Sequence, residues 1–358
     1  MRVFPKPSAL FVFCVLLLAS VTVSVMPTPR VSMARVPFRF SKPAGLGLGP
    51  TMNKKRSSMS PRYDVRTRVV TDLDDTVKSS GGLNIFGIAL GGIDTQFKRG
   101  EFYPGVFQFA LELSCSSVRA VPEKVAVLTA RAREFKFALA LQPNDKLCTA
   151  FREAGQRNGF KNWGIGPVYY GSVVEWIFQE RKGLRKFANF EKMMRDDSRA
   201  SGRDIGESSK YILVGDTGEK DEDAGERIIA KYPSLVRAVF LHVVSNNRDR
   251  TMVTLPEDRK LNGVPIYYFR TYVGAATKAM QDNLITPDGL GRVIQQSRED
   301  LCKKEPRLAP GLGENLSPSA LRQQSSKWDE LEDDIAMAVQ AQRIKTSAKF
   351  SFKINRIM

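Results

Sequence analysis

The sequence predicts an α/β fold in which a parallel sheet lies between two layers of helices. Three observations predict it. From Arg66 onward, short apolar runs rich in β-branched residues alternate with segments of helical period. These runs are the continuous apolar stretches of strands buried on both faces. Three of them end in reactive side chains, Asp72 and Asp74, Thr129, and Asp216, as expected where ligands bind at the carboxyl edge of such a sheet.

Taken in order, TRVVTDLD is a first buried strand. YPGVFQFALELS opens on Pro-Gly and continues with helical spacing, so it reads as a helix. KVAVLTA is a second strand, REFKFALALQ a helix, and IGPVYYGSV a third strand. RKFANFEKMMRDD is an amphipathic helix and KYILVGD a fourth strand. EDAGERIIAKYP is a helix, VRAVFLHVV a fifth strand, GVPIYYFRTY a sixth, and AATKAMQDNL a helix. Beyond about Leu290 the pattern weakens. The expected division is a leader over 1–63, one α/β domain over 64–290, a linker over 291–318 containing KKEPRLAPGLGENLSP, and a helical, basic tail over 319–358.

The net charge of +17 suggests a nucleic-acid binder until its placement is considered. Residues 1–63 hold ten Lys/Arg and no acid, and 343–358 hold five more and no acid, which leaves the body near +2. A broad footprint for DNA or RNA is therefore excluded. The leader begins with a short basic stretch and an apolar run, Ala9–Met26, as a secretory signal does. A basic, Ser-containing stretch without acids follows, the bias of a transit peptide. Together they predict a plastid address through a signal-plus-transit leader; a secretory or membrane-anchored protein is the alternative. Of four cysteines, three lie in the body without a Cys-x-x-Cys pair, which fits reduced thiols. The single histidine, His242, closes an apolar run and reads as structural; its isolation excludes multi-histidine metal sites.

VVTDLDDTVKSSGG crowds Asp72, Asp74 and Asp75 into four residues. Like charges this close raise one another's pKa. A helix–loop–helix calcium site would need Gly and Glu where Val77 and Leu83 stand, so that reading fails. A solvated acidic turn would suffice for a lone cluster. This one has a counterpart in ILVGDTGEKDED, where Asp216 follows a second buried strand, Asp221 lies five residues on, and Gly215 and Gly218 allow a sharp turn. Carboxylates from two strand ends need a cation, and hard oxygen ligands suit Mg2+. Thr129 adds a hydroxyl at a third strand end and Lys186 a positive charge at a helix start. Hydroxyl, ammonium and Mg2+ together suit a phosphate. Asp72 is then a candidate nucleophile and Asp74 a candidate acid and base.

This constellation resembles the haloacid-dehalogenase-type phosphatase superfamily. Asp72, Asp74 and Thr76 match its Asp-x-Asp-x-Thr, followed by Thr129, Lys186, and Gly215-Asp216 with Asp221. More closely, TDLDDTVKSS, KYILVGDTGEKDED and VRAVFLHVV look like the catalytic domain of the actin-patch-associated phosphatidate phosphatases, over roughly residues 66–280. The resemblance implies a Rossmann-like, haloacid-dehalogenase-like sheet and Mg2+-dependent conversion of phosphatidate to diacylglycerol. It assigns Asp72 as nucleophile and Asp74 as acid/base with its carbonyl on the metal. Thr129 and Lys186 become phosphate binders, Asp216 a metal ligand, and Asp221 part of the metal shell. Lys182, one helical turn before Lys186, is the alternative lysine. Thr217 stands where many members have Ser. LTARAR departs from the fungal form, in which Ser and Asn follow the strand, which touches substrate contacts rather than phosphate chemistry.

The stretch between Thr76 and Pro104 predicts a small flap over the site and leaves no room for a large cap. Its IFGIAL run suits acyl chains or a bilayer surface, or packing on its own domain. Arg131, Arg133 and Lys98 suit an anionic interface, or stand as solvated charges. The basic tail suits a peripheral membrane or partner contact, or forms a solvated or docked helix. Three functions follow: a lipid phosphatase, a phosphatase of a soluble phosphomonoester, and a non-catalytic module for anionic membranes.

Overall fold

Successive residues of the first strand point to opposite sides, Val69 into one apolar cluster and Val70 into another, and both are buried. Strands with that property must be sandwiched. The computed structural model describes residues 66–354 apart from 83, 86–87, 90–91, 116–120, 133–140, 173–181, 203, 206–208, 248–252 and 306–317. The expected leader and most of the helix expected at REFKFALALQ lie outside the described residues.

The elements in chain order are β1 (Arg66–Thr71), a hairpin of β2 (Asn84–Ile85) and β3 (Ile88–Ala89), α1 (Val106–Ser114), β4 (Val125–Ala132), α2 (Lys146–Arg157) and β5 (Ile165–Gly171). There follow α3 (Lys182–Ser201), β6 (Ser209–Asp216), α4 (Asp221–Lys231), β7 (Val236–His242), β8 (Arg259–Leu261), β9 (Val264–Phe269), α5 (Tyr272–Gln281), α6 (Pro287–Lys304) and α7 (Pro318–Ile354). Seven strands form one sheet in the order β5-β4-β1-β6-β7-β9-β8, parallel throughout except for β8 against β9. The α/β class and parallel sheet expected from the sequence are present.

Topology places the site. The chain leaves β1 for β4 on one side and later returns to β6 on the other. The carboxyl ends of β1, β4 and β6 therefore flank a point where the connections diverge, the place where sheets of this kind leave a crevice. On one face Phe240 and Ile212 meet α1, α5, α6 and α7; on the other Leu213 and Val239 meet Phe190 and Met193 of α3 and Ile228 of α4.

The expected linker over 291–318 is corrected. Helix α6 runs through Lys304, with Thr286 accepting a bond from the Gly289 N–H at 3.0 Å and Pro287 in its first turn. Its buried apolar side chains are few, Leu290, Val293 and Leu301, so its apolar signal is thin. The boundary at 290 falls inside this helix. The expected tail is helical, and part of it is core. Leu331, Ile335, Ala338 and Ala341 of α7 join the cluster formed by α5 and α6, which bears out the docked-helix reading. Polar contacts secure the seam: Arg270 meets Glu330 at 3.1 Å, Thr271 donates to Asp334 at 2.5 Å, and Lys327 meets Glu305. Helix α2, the two-residue strands β2 and β3, and β8 were also missed. Among the described residues no helix is long and apolar enough to cross a membrane.

Candidate active site

The first acidic motif is built by extending the β1–β6 ladder one step. The Asp72 N–H donates to the Val214 carbonyl at 3.1 Å, so its side chain leaves the sheet at the rim. The chain then tightens into a turn in which the Val77 and Lys78 N–H groups share the Leu73 carbonyl, at 2.9 and 3.1 Å. Leu73 is fully buried and anchors the turn in the core. Asp75 sits in it with φ of 61°, a left-handed conformation that Asp tolerates better than most residues.

The second motif follows β6. Asp216 accepts from the Gly218 and Glu219 N–H groups at 2.6 and 2.9 Å through one oxygen, and from the Thr76 hydroxyl at 3.2 Å through the other. The Asp216 N–H in turn donates to Asp221 at 3.2 Å. Asp221 opens α4, where the helix N-terminus favours a negative side chain. The turn does not use glycine for a left-handed backbone, since neither Gly215 nor Gly218 has positive φ. It needs glycine for space: a Cβ on Gly215 would lie 2.5 Å from the Asp221 Cβ.

Lys186 joins the two motifs. Its ammonium lies 2.9 Å from Asp72 Oδ2 and 2.5 Å from Asp221 Oδ1, and the lysine and Asp72 are nearly inaccessible. Lys182, the alternative, is engaged by Glu219 at 2.9 Å. Asp72, Asp216 and Asp221 each offer an oxygen within 4.8 Å of the others. Asp72 Oδ1 is buried with no hydrogen-bond partner. Four carboxylates thus surround two ammonium groups. Burial pushes the Asp72 carboxyl well above its ordinary range, against the pull of Lys186 and with added repulsion from Asp221. Burial and then Asp221 do the same to Asp216. Lys186 is pushed up as well: its own burial opposes the charge, but Asp221 and Asp72 outweigh it.

Asp74 lies beside this cluster with its carboxylate turned elsewhere. Arg131 grips both its oxygens, at 2.9 and 3.0 Å, and Lys78 approaches one at 3.2 Å. Burial works against the charge, yet the Arg131 bonds prevail and hold the group below its usual value. Thr129 is buried on β4, whose ladder pairs Thr71 with Val127 two residues earlier, so its hydroxyl emerges at the same rim.

The sequence thus anticipated the cluster of Asp72, Lys186, Asp216 and Asp221. It missed three supports. Arg131 is a partly buried partner of Asp74 rather than a solvated charge. Asp75, the position without an assigned role, accepts from the Ser80, Ile93 and Asp94 N–H groups at 2.8, 2.5 and 2.8 Å, clasping both ends of the segment that carries β2 and β3. Burial pushes its carboxyl up to about 7 despite those donors. His242, buried as expected, has Nδ1 2.8 Å from the Asp75 carbonyl and braces the turn. The crowding of acids signalled a site but not which acid was the brace, because that depends on contacts from residues up to 167 positions away.

A cavity of about 620 Å3 lies elsewhere, between β9, α5 and α7, and none of these acidic residues lines it. The site stands out by its charge rather than by its concavity. No family model, curated protein or solved structure matches the chain.

Proposed function

We propose that the chain is a Mg2+-dependent phosphatase that works through an aspartyl-phosphate on Asp72, and that its substrate is phosphatidate, converted to diacylglycerol. The observation that carries this reading is the buried Asp72 carboxylate. One oxygen is held by Lys186, the other has no partner, and Asp216 and Asp221 stand within 4.8 Å. A set of oxygen donors with an excess of buried negative charge fits a hard divalent cation. Asp72, Asp216 and Asp221 would hold it; when bound, it supplies positive charge that offsets the carboxylates and the phosphoryl oxygens.

Each residue then has work suited to its place. Asp72 forms a bond to phosphorus as the bond from phosphorus to the leaving oxygen breaks, and Asp74, after parting from Arg131 and taking a proton from solvent, passes that proton to the leaving oxygen. Asp74 next takes a proton from water, which attacks phosphorus and frees Asp72 and inorganic phosphate. Lys186 orients Asp72 and pulls it toward its ionised form against burial, and Thr129 donates to a phosphoryl oxygen. Thr76 and the Gly218 and Glu219 N–H groups hold Asp216 in place. Phosphatidate as substrate is supported by the motif resemblance of the two acidic segments.

The test is phosphate release by full-length protein from a panel of phosphatidate in mixed micelles and soluble phosphomonoesters, with and without Mg2+. Phosphatidate turnover that requires Mg2+ and disappears in Asp72→Asn is expected. Turnover unchanged by that substitution removes the nucleophile, and preference for a soluble ester replaces the substrate.

A further inference from the structure

Beside Thr129 the pairing of β4 with β5 departs from regularity. On β4 Thr129 pairs with Tyr170 and Ala132 with Gly171, so three steps on β4 match one on β5. Such a bulge re-aims a side chain, and bulges gather beside active sites. Here the re-aimed residue is Arg131. Its N–H donates to the Thr129 hydroxyl at 3.2 Å, so the bulge also orients that hydroxyl. The neighbouring strand accommodates the bulge by ending in glycine: a Cβ on Gly171 would lie 2.9 Å from the Ala130 carbonyl oxygen. These features bring one guanidinium to the rim where Asp72, Asp74 and Thr129 converge.

We propose that Arg131 recognises the phosphate of the substrate, exchanging its present partner, the Asp74 carboxylate, for two phosphoryl oxygens. This rests on the phosphatase reading above and deepens it. The fork that grips Asp74 at 2.9 and 3.0 Å matches two oxygens of a phosphate equally well. Exchange does not require unfolding, since the side chains of Arg131 and Asp74 are 17% and 13% exposed. Nor does it strand a charge, because Lys78 stays beside Asp74. The exchange also has a consequence for catalysis. With its two oxygens occupied, Asp74 cannot present a carboxyl group to the leaving oxygen. Arrival of a phosphate draws the guanidinium away and frees Asp74 at the moment it is needed. Arg131 thereby couples recognition of the anion to readiness of the acid.

The test measures inorganic phosphate binding directly, by calorimetry on full-length protein with Mg2+ present, alongside steady-state turnover of phosphatidate. Arg131→Ala is expected to weaken phosphate binding at least about tenfold and to raise KM by a similar factor, since a charged bidentate contact is lost. Added guanidinium ion should restore part of both, a recovery that a merely structural pair would not show. Arg131→Lys, which keeps the charge but not the fork, should fall between, and it carries the test if the alanine variant does not fold. Phosphate affinity equal to wild type in a folded Arg131 variant overturns the proposal, as does failure of the wild-type protein to bind phosphate. The two readings fail separately. If Asp72→Asn abolishes turnover while Arg131→Ala binds phosphate normally, the phosphatase stands and this role for Arg131 falls. If phosphate binding depends on Arg131 while turnover survives Asp72→Asn, the nucleophile falls and the recognition role stands.

Discussion

The rim of the sheet and the seam beneath α7 are both rich in buried or half-buried charge, and they treat it in opposite ways. In the seam, acids and bases meet one to one: Arg270 with Glu330, Lys327 with Glu305, Arg298 with Glu332. At the rim, Asp72, Asp216, Glu219 and Asp221 share Lys182 and Lys186. Both regions contain a buried carboxylate oxygen without a partner, Glu305 Oε2 in the seam and Asp72 Oδ1 at the rim. An orphaned oxygen is therefore not diagnostic by itself. What distinguishes Asp72 is that it belongs to a group of three carboxylates with oxygens within 4.8 Å of one another, where burial makes uncompensated charge costly. A seam balances charge to hold two elements together; a rim that leaves charge unbalanced is prepared for something that brings the opposite sign.

The comparison can be broken most sharply at Asp72. Asp72→Asn removes the nucleophile while keeping volume, and phosphate release should fall by roughly 10^4-fold or more, as when an essential nucleophile is removed elsewhere. The same variant should remain folded by circular dichroism, since the lost charge was itself disfavoured by burial.

The next effect is on stability. Lys186→Met leaves Asp72 and Asp221 facing each other without the ammonium, and denaturant unfolding should show a loss of about 3–5 kcal/mol. Leu331→Ala in the seam opens a cavity under α7 and should cost about 2–4 kcal/mol. It should leave kcat and KM unchanged in protein that is still folded. Equal kinetic damage from both would mean that the seam and the rim are not separate in function.

Smaller, but specific in sign, is the dependence on pH. Asp72 and Asp216 have raised pKa values in the folded protein, so between the unfolded value of about 4 and the folded values the native state holds protons that the unfolded state releases. Stability of metal-free protein should accordingly fall as pH rises from 5 to 8. Mg2+ favours the ionised carboxylates and should raise the melting temperature most at the upper end. A melting temperature that rises with pH, or a Mg2+ increment largest at pH 5, would contradict this account. The smallest expected effect is Glu330→Gln, where Arg270 retains Gln96 and the Val243 carbonyl as acceptors, at 2.7 Å each. A loss of about 0.5–1 kcal/mol, with turnover unaltered, is expected where the arginine keeps two other acceptors.

Local pattern determined much of this protein. Apolar runs with β-branched residues specify strands in almost any context, and the residues that end them, Asp72, Thr129 and Asp216, announce the rim before any contact is known. The layered α/β class and the cluster of Asp72, Lys186, Asp216 and Asp221 were legible for that reason. What the tertiary structure alone decided is how charge is shared. Arg131 reaches Asp74 through a bulge that depends on a glycine of the neighbouring strand, 40 positions away, and Asp75 becomes a brace only because Ser80, Ile93 and Asp94 turn their N–H groups toward it. Helix α6 and the docking of α7 were hidden for a related reason: their buried faces are narrow, and a few apolar residues mark a helix only once a surface is present to receive them. Secondary structure follows from periodicity along the chain, whereas the pairing of charges and the closing of a core depend on distances that periodicity does not contain.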